Sequence, residues 1–346
     1  MSHLIATCAP EAASVALDEL RRQSWPVTLT TWLDAGVALL STPDPPALAD
    51  ALAAYPPVFV RHLAPADLVL PLSGQMADIA TLTAAVRDAL PAMPADQSGD
   101  LGAPYAVQVR LSRQAAPPYT RYAVAEPLRA LLARYGAEDV RHPQLILSVY
   151  CAPTQAYIGL WPAARCLSDW PGGEHRFARM PDQVSRAEFK LLEALAVWKL
   201  TLPGQGHALD LGAAPGGWTR ILAQAGLAVV AVDPADLDAR VLRLPQVQHW
   251  RRYAADYIAH STTLVDVLVN DMRMDARDSA RLMVRAAACL RPGGPAIMTL
   301  KLPQAHGAAV YRQAHQVLTR AYTVVGARQL FHNRSEVTVV LRRAAC

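Results

Sequence analysis

The chain has 346 residues, of which 52% are hydrophobic and 18% charged, so a mainly disordered protein is excluded and two or three domains are expected. No apolar stretch reaches the ~18–20 uncharged residues of a membrane span. The first twenty residues contain three acids and no lysine or arginine, which argues against a secretory signal.

No CxxC pair occurs, so we expect a reducing cytoplasm and neither a structural zinc nor a disulfide framework. The cysteines are Cys8, Cys151, Cys166, Cys289 and Cys346.

Charge is distributed unevenly along the chain. Residues 175–346 contain 22 lysines and arginines against 13 acids, whereas residues 1–174 contain 11 against 16. Because phosphate contacts dominate nucleic-acid affinity, the basic C-terminal half is the better candidate for binding a polyanion. An arginine-rich solvated surface has the same composition, so charge alone leaves both interpretations open.

The N-terminal half predicts two small α/β modules. Residues 1–58 alternate strands and helices in the manner of a ferredoxin-like module. The predicted elements there are a strand at 3–9, a helix at 10–23, a hairpin at 28–42 and a helix at 45–55. Residues 59–168 form a second module. Its predicted elements are a helix at 76–90, a Pro- and Gly-rich loop at 91–104, a strand at 105–112, a helix around 126–136 and a β-hairpin at 145–161. Residues 169–184 are rich in Gly, Pro and charge and are predicted to be a linker.

From residue 185 to 346 the pattern changes to regular β-α alternation. Helices are predicted at 187–200, 216–226, 279–294 and 308–322, and strands at 207–214, 227–233, 265–272 and 295–302. Residues 324–331 and 336–343 are predicted to be a terminal antiparallel pair. Uniformly apolar strands such as 227–232 are typical of a parallel sheet buried on both faces. The sequence therefore predicts a doubly wound, Rossmann-like α/β domain.

The segment ALDLGAAPGGWTR (208–220) gives the strongest local signal. Its glycines, Gly212, Gly216 and Gly217, allow a ligand to approach the backbone, and the helix that follows offers free N–H groups. The next strand ends in Asp233, 21 residues after Gly212, a spacing typical of an acid that binds ribose hydroxyls. The glycine spacing is not GxGxxG, which disfavours a nicotinamide cofactor.

Lysine is rare in this chain, and its positions are informative. Only Lys190, Lys199 and Lys301 occur among 33 basic residues. A desolvated lysine can lose its proton, whereas arginine hardly can. A lysine in this arginine-rich chain therefore indicates a position where a basic group that can lose its proton is required. Lys301 lies at the carboxyl end of a predicted buried strand, where Asp271, at the end of another strand, is its expected partner.

Further acids and one further lysine are expected near this pair. Lys190 lies on the helix that enters the domain and Glu336 begins the last strand; with the Asp–Lys pair they could deprotonate and orient a hydroxyl nucleophile. Asp256 and Asp271 are interpreted as acids at strand ends or just past them, which are expected at the same edge of the sheet. For Asp256, a helix cap or a solvated loop acid is an equally good interpretation. Lys199 is expected to be a solvated surface residue.

The motifs SRAEFKLLE, LDLGAAPGGW, VNDM, TLKLP and RSEVTV resemble the successive motifs of the FtsJ-like 2′-O-ribose RNA methyltransferases. The K-D-K-E tetrad of that family falls on Lys190, Asp271, Lys301 and Glu336. The long N-terminal segment and the order of motifs after TLKLP resemble the RlmM type, which methylates bacterial 23S ribosomal RNA. That type carries a ferredoxin-like module and a THUMP RNA-binding domain ahead of the catalytic domain.

The resemblance implies S-adenosylmethionine as methyl donor, no metal, and 2′-O-methylation of a nucleotide, expected to be a cytidine, in 23S ribosomal RNA. Lys301 would accept the proton. The residues implied to contact the donor are Ser185, Gly212, Ala214, Pro215, Gly216, Gly217, Asp233, Asp256 and Asp271. The acidic N-terminal half departs from what RNA-binding modules need, so RNA contact there is expected at a local patch of Arg110, Arg113 and Arg121.

Three alternatives stay open. The same tetrad would serve a 2′-O-methyltransferase of another RNA, either transfer RNA or a messenger cap. An NAD-dependent oxidoreductase is disfavoured by the glycine spacing and by the lack of an evident catalytic His or Tyr near the strand ends. A non-catalytic RNA-binding assembly factor is disfavoured by the intact tetrad.

Overall fold

The computed structural model describes residues 2–22, 26–90, 103–303 and 306–345. The chain divides into two compact units, Met1–Glu174 and His175–Cys346. Most of the predicted loop at 91–104 lies outside the described residues. Within the described ranges, no helix is long and apolar enough to span a membrane, and no group of three or more His, Cys, Asp or Glu side chains is arranged to hold a metal.

The first unit begins with a four-stranded sheet. Its elements, in chain order, are β1 (Ser2–Cys8), α1 (Ala13–Arg22), β2 (Thr28–Asp34), β3 (Val37–Thr42), α2 (Pro45–Ala54) and β4 (Val60–Ala66). The strand order is β2-β3-β1-β4, and every neighbouring pair is antiparallel. Helix α2 begins where the sequence predicts, because Pro45 suits the first helical position and the Asp44 carboxylate accepts the amide of Ala47 at 3.0 Å. This sheet continues through β4, beyond the predicted module boundary at residue 58.

The first unit contains a second four-stranded sheet. Its elements are β5 (Leu68–Pro71), α3 (Ala77–Ala89), β6 (Tyr105–Leu111), α4 (Arg121–Leu132), β7 (Leu145–Cys151) and β8 (Gln155–Pro162). The order is β5-β8-β7-β6, with β6 and β7 parallel. Helix α4 begins five residues before its predicted start, at a Thr120 side chain that accepts the amide of Ala123. It continues through Pro127 because Val124 and Leu128 on either side are buried in the core of this sheet.

The structure does not place Arg110 on open surface, where the predicted RNA contact needs it. Its guanidinium lies 3.4 Å from Glu174 and over the ring of Tyr150, and a Cβ at Gly172 would overlap it. Burial lowers the pKa of Arg110, although Glu174 opposes this shift. Arg113 and Arg121 are exposed and stay predicted contacts.

The second unit is a seven-stranded, doubly wound α/β domain, which confirms the predicted fold class for this part of the chain. Its helices are α5 (Glu188–Val197), α6 (Gly217–Gln224), α7 (Ala239–Leu242), α8 (Ala254–His260), α9 (Ala276–Ala286) and α10 (Gly307–Leu318). Its strands are β9 (His207–Leu211), β10 (Ala228–Val232), β11 (Val247–Trp250), β12 (Val267–Asn270), β13 (Pro295–Lys301), β14 (Tyr322–Arg328) and β15 (Glu336–Arg343). The sequence prediction missed β11, α7 and α8, which are short.

The order of the strands creates a ligand-binding edge. It is β11-β10-β9-β12-β13-β15-β14, in which β9 to β13 are parallel and β15 is antiparallel to both of its neighbours. The connections reverse direction between the adjacent strands β9 and β12, and in open α/β sheets ligands bind outside the carboxyl ends of strands at such a switch point. The glycine-rich loop follows β9 and Asp271 follows β12, so both lie at this edge.

Candidate active site

Four charged side chains of the second unit meet at the carboxyl edge of the sheet. Lys190 Nζ lies 3.2 Å from Asp271 Oδ2 and 2.7 Å from Glu336 Oε1. Lys301 Nζ lies 2.5 Å from Asp271 Oδ1 and also contacts Glu336 Oε2. Each lysine therefore contacts both carboxylates, and the structure brings together all four residues of the predicted tetrad.

The two lysines differ in their surroundings. Burial by itself lowers the pKa of Lys190, but the charges of Asp271 and Glu336 raise it more, so the pKa lies above its ordinary value. The Lys190 side chain is 16% exposed and that of Lys301 is 24% exposed. Lys190 is thus a fixed cation, while Lys301 is the more accessible of the two amines.

Thr299 is a member of this cluster that sequence reasoning missed. Its Oγ1 donates to Asp271 Oδ1 at 2.5 Å and accepts from Lys301 Nζ at 2.6 Å. Asp271, Thr299 and Glu336 together provide one acceptor for each ammonium hydrogen of Lys301. Thr299 lies two residues before Lys301 on β13, and side chains two residues apart on a strand point to the same face of the sheet. This spacing could have identified Thr299 from the sequence.

Local backbone contacts fix the two acids. Asn270 is fully buried, donates to Ser279 at 3.1 Å and accepts the amide of Met272 at 2.9 Å, so the turn that carries Asp271 is held from inside the sheet. Glu336 begins β15 directly opposite Lys301, the last residue of β13, in antiparallel register. The pairing of β13 with β15 therefore delivers the glutamate to the lysine.

The glycine-rich loop lies at the same edge and leaves no room for side chains. Gly212 and Gly216 have φ angles of 76° and 107°, in the left-handed region that favours glycine. A Cβ at Gly212 would overlap the Met272 side chain, and a Cβ at Gly217 would overlap Ser185 Oγ. The peptide bond between Ala214 and Pro215 is cis. The loop is thus a cradle formed by backbone.

Ser185 faces this cradle, and its hydroxyl oxygen is buried without a hydrogen-bond partner in the described structure. Glu188, 2% exposed, holds its backbone by accepting the amides of Val184 at 2.7 Å and Ser185 at 3.3 Å. The same carboxylate pairs with Arg220 at 2.6 Å, which is 5% exposed on its side chain. The sequence analysis did not single out Glu188 or Arg220, although both lie within its motifs.

The structure also places the two remaining predicted acids. Asp233 follows β10, and its carboxylate accepts the amides of Ala214 at 3.1 Å and Ala235 at 2.8 Å, so it contacts the glycine-rich loop directly. Asp256 lies in the first turn of α8 and is exposed. Among the described contacts, none joins Asp256 to the tetrad or to the loop, and its role in binding stays a prediction. Lys199 is exposed, as predicted.

Asp210, on β9, is a buried acid behind the loop. Its Oδ2 accepts the Thr219 hydroxyl at 2.6 Å. Burial raises the pKa of Asp210 from 3.8 to about 7, with Thr219 opposing and Asp271 adding to the shift. Because the folded protein holds this proton more tightly than the unfolded chain, the contribution of Asp210 to stability is full below about pH 3.8 and declines as the pH rises towards 7.

Replacing Asp210 with asparagine should therefore change how stability depends on pH. Asparagine has no proton to lose and still accepts the Thr219 hydroxyl. We expect the free energy of unfolding of Asp210→Asn, relative to the native chain, to rise by about 2 kcal/mol between pH 5 and pH 7. Urea unfolding across this range measures it. Asp278→Asn, on the exposed face of α9, is the matched control; an equal pH dependence in both variants would contradict the assignment.

Comparisons with known proteins agree with the geometry. Residues 183–314 match the family described as FtsJ-like methyltransferase. The protein named "Ribosomal RNA large subunit methyltransferase M" of Halorhodospira halophila is 34% identical over 225 residues, and the match covers 63% of each chain. The protein of the same name from Pseudomonas aeruginosa is 32% identical over 235 residues, covering 63% of this chain and 64% of that one. The predicted resemblance is therefore confirmed, and it spans slightly less than two thirds of the length of these relatives.

Solved structures share a more distant likeness. TrmN from Thermus thermophilus is 18% identical with a TM-score of 0.42, covering 99% of this chain and 100% of that one. The fibrillarin of Aeropyrum pernix, in complex with S-adenosyl-L-methionine, is 16% identical with a TM-score of 0.37, covering 56% of this chain and 81% of that one.

Proposed function

We propose that this protein is an S-adenosylmethionine-dependent methyltransferase that methylates the 2′-hydroxyl of a nucleotide in bacterial 23S ribosomal RNA. The observation that carries the proposal is the Lys–Asp–Lys–Glu cluster next to a glycine-rich cradle at the switch point of the sheet. The match to FtsJ-like methyltransferases over residues 183–314 and the names of the curated relatives support it.

The residues at the cradle fit S-adenosylmethionine. The buried Ser185 hydroxyl, which has no hydrogen-bond partner in the described structure, lies against Gly217 and provides a polar partner for the donor. The N-terminus of α6, which begins at Gly217, offers free backbone N–H groups to its carboxylate. Asp233, at the end of β10, retains lone pairs for ribose hydroxyls after accepting its two amides. When bound, S-adenosylmethionine supplies an electrophilic methyl group. We assign Ser185, Gly212, Ala214, Pro215, Gly216, Gly217, Asp233 and Asp271 to the donor site, and we keep Asp256 as a predicted contact.

The tetrad provides the base. Lys190 stays charged and pairs with Asp271 and Glu336, so we assign the role of proton acceptor to Lys301, the more accessible of the two lysines. The lone pair of Lys301 Nζ would accept the proton of the substrate hydroxyl while the methyl group passes from the donor sulfur to the hydroxyl oxygen, which breaks the carbon–sulfur bond and leaves a neutral thioether. The carboxylates of Asp271 and Glu336 would stabilise the resulting ammonium. Asp271 and Glu336 also fix the direction of the amine, which supplies the alignment that the reaction needs.

The remaining sequence expectations belong to the same proposal. The first unit is proposed to select the RNA. Its ferredoxin-like module extends through β4 and is followed by a THUMP-like domain, ahead of a linker at 169–184 and the catalytic domain at 185–346. The nucleotide is proposed to be a cytidine and the compartment the cytoplasm, where ribosomal RNA is assembled into subunits.

Methylation of defined RNAs tests the function. The full chain, incubated with radiolabelled S-adenosylmethionine, should label in vitro transcribed 23S ribosomal RNA at a 2′-oxygen, located by a stop in primer extension at low nucleotide concentration. Transfer RNA and capped messenger RNA are the alternative substrates. Label on either of these and not on 23S RNA would replace the proposed substrate, and label on none would favour a non-catalytic RNA-binding factor.

Replacing Asp233 with alanine tests the donor site. The loss of hydrogen bonds from this half-buried acid should weaken S-adenosylmethionine binding by ~1–3 kcal/mol. Titration calorimetry on the full chain measures the affinity. The matched control is Asp236→Ala, three residues on, which removes an exposed acid paired with Arg251. Equal affinities for the two variants would remove Asp233 from the site.

A further inference from the structure

Three arginines lie on the chain segments that carry the tetrad. Each is within four residues of a tetrad member: Arg186 before Lys190, Arg273 after Asp271 and Arg334 before Glu336. All three are exposed. Because the tetrad side chains meet at one edge of the sheet, the three arginines are brought to the rim of the same site from three different elements.

These arginines differ from those arginines of the second unit that pair with carboxylates. The paired ones include Arg220, Arg240, Arg251, Arg277, Arg281 and Arg291. Within the part of the chain that the structure describes, Arg186, Arg273 and Arg334 form no ion pair. The unit carries 22 basic residues against 13 acids, so positive charge exceeds what internal pairing can neutralise. The rim of the active site is one place where this excess stays available.

Buried polar side chains hold the turns that carry the three arginines. Glu188 accepts the amide of Ser185 beside Arg186, and Asn270 accepts the amide of Met272 beside Arg273. For the turn before Arg334, Glu193 is 1% exposed and accepts the amides of Phe331 and His332, each at 2.8 Å. Anchored turns present charged groups at lower entropic cost than mobile loops do.

Contacts between these segments bring the arginines near Lys301. Asp275, two residues after Arg273, forms a parallel bridge with Lys301. The amide of Leu302 donates to the carbonyl of Ser335, next to Arg334, at 2.8 Å. The ring of Phe189, three residues after Arg186, stacks on the ring of His332 with 5.0 Å between the centroids, so the segment of Arg186 contacts the turn that precedes Arg334. The three segments thus flank the amine that would receive the substrate hydroxyl.

We infer that Arg186, Arg273 and Arg334 form a clamp for the phosphates on either side of the target nucleotide in a single-stranded RNA segment. The inference rests on the proposed function and names the form of its substrate. Lys301 is only 24% exposed on its side chain, so a ribose hydroxyl reaches it only when the nucleotide is turned out of a helix. Phosphates then lie on both sides of the hydroxyl, and the planar guanidinium binds phosphate oxygens in pairs.

The test measures how RNA binding depends on salt. Full-length chains, native and with Arg186→Gln, Arg273→Gln and Arg334→Gln singly and together, are titrated with in vitro transcribed 23S ribosomal RNA over a series of KCl concentrations. Each phosphate contact on a single strand contributes about 0.7 to the magnitude of the negative slope of log affinity against log salt concentration. The slope of the triple variant should therefore be shallower than the native slope by about 2. Each single variant should lose about fivefold in affinity near 0.1 M KCl.

Matched controls separate the clamp from general charge. Arg281→Gln removes an equally exposed arginine that is paired with Asp278 on α9 and should leave the slope unchanged. A triple lysine variant keeps the charges and should retain most of the slope. S-adenosylmethionine affinity, measured by calorimetry, should stay within about twofold of native in every variant, because no guanidinium is assigned to the donor.

The outcomes distinguish this inference from the proposed function. If the triple glutamine variant has the native slope while the native chain methylates RNA, the clamp is wrong and the arginines serve another partner, such as a protein. If the native chain binds RNA but methylates none, and the triple variant loses the slope, the clamp stands and the proposed activity fails. An equal loss of slope in Arg281→Gln would also overturn the clamp.

Discussion

Lys301→Arg is expected to reduce methyl transfer nearly as much as Lys301→Ala, although arginine keeps the positive charge. A guanidinium does not release its proton near neutral pH, so the variant lacks a base, and its larger planar group does not fit between Asp271, Thr299 and Glu336. The loss of a general base costs ~10²–10⁴ in rate. The composition leads to the same expectation, because lysine stands here in a chain with thirty arginines.

The measurement is transfer of a labelled methyl group to RNA at saturating donor, with donor affinity determined in parallel. Lys199→Arg is the matched control, since Lys199 is exposed and is the only lysine outside the tetrad. It should retain native turnover. If Lys301→Arg kept a third or more of native turnover, Lys301 would be an electrostatic anchor and not the base.

Glu188→Gln is expected to lower the free energy of unfolding by ~3–5 kcal/mol, because it leaves the buried Arg220 without its main counter-charge. The two side chains are 2% and 5% exposed. Asp182 still contacts Arg220 at 2.6 Å, but it is 54% exposed and cannot replace a buried carboxylate. The turn that holds Ser185 loses its anchor in the same variant, so donor affinity should fall as well.

Urea unfolding and donor calorimetry measure the two effects. The matched control is Asp278→Asn, which breaks the Arg281 pair on α9, where both side chains are more than half exposed; such pairs contribute ~0–1 kcal/mol. A loss below about 1 kcal/mol in Glu188→Gln would mean that Asp182 or solvent compensates for the missing charge.

Much of the catalytic unit could be predicted from sequence because its signals are local. The signals are the apolar strands around Val230, the glycines from Gly212 to Gly217 and the acids at strand ends. Each of them depends on backbone geometry within a few residues along the chain. The rule that the carboxyl ends of parallel strands share one edge then places Asp233 and Asp271 together. The four tetrad residues were found in this way and through the family resemblance, and the structure brings them into contact.

Elements whose local signals are weak were missed or misplaced. Strand β11 has only four residues, Val247–Trp250, with intermediate or exposed side chains and no continuous apolar run. Helix α4 begins at Arg121, before its predicted start, and burial of the neighbours of Pro127 keeps the helix intact through this proline. In both cases tertiary packing outweighs the local preference.

The sequence by itself determined which residue types carry the chemistry, since the rare lysines, the strand-end acids and the glycine-rich loop are properties of short segments. Only the tertiary structure decided how they are joined. The antiparallel insertion of β15 between β13 and β14 sets Glu336 opposite Lys301, and Glu188 pairs with Arg220 across 32 positions. Such contacts depend on strand register and burial between segments that are distant along the chain, and no periodicity within a segment encodes them.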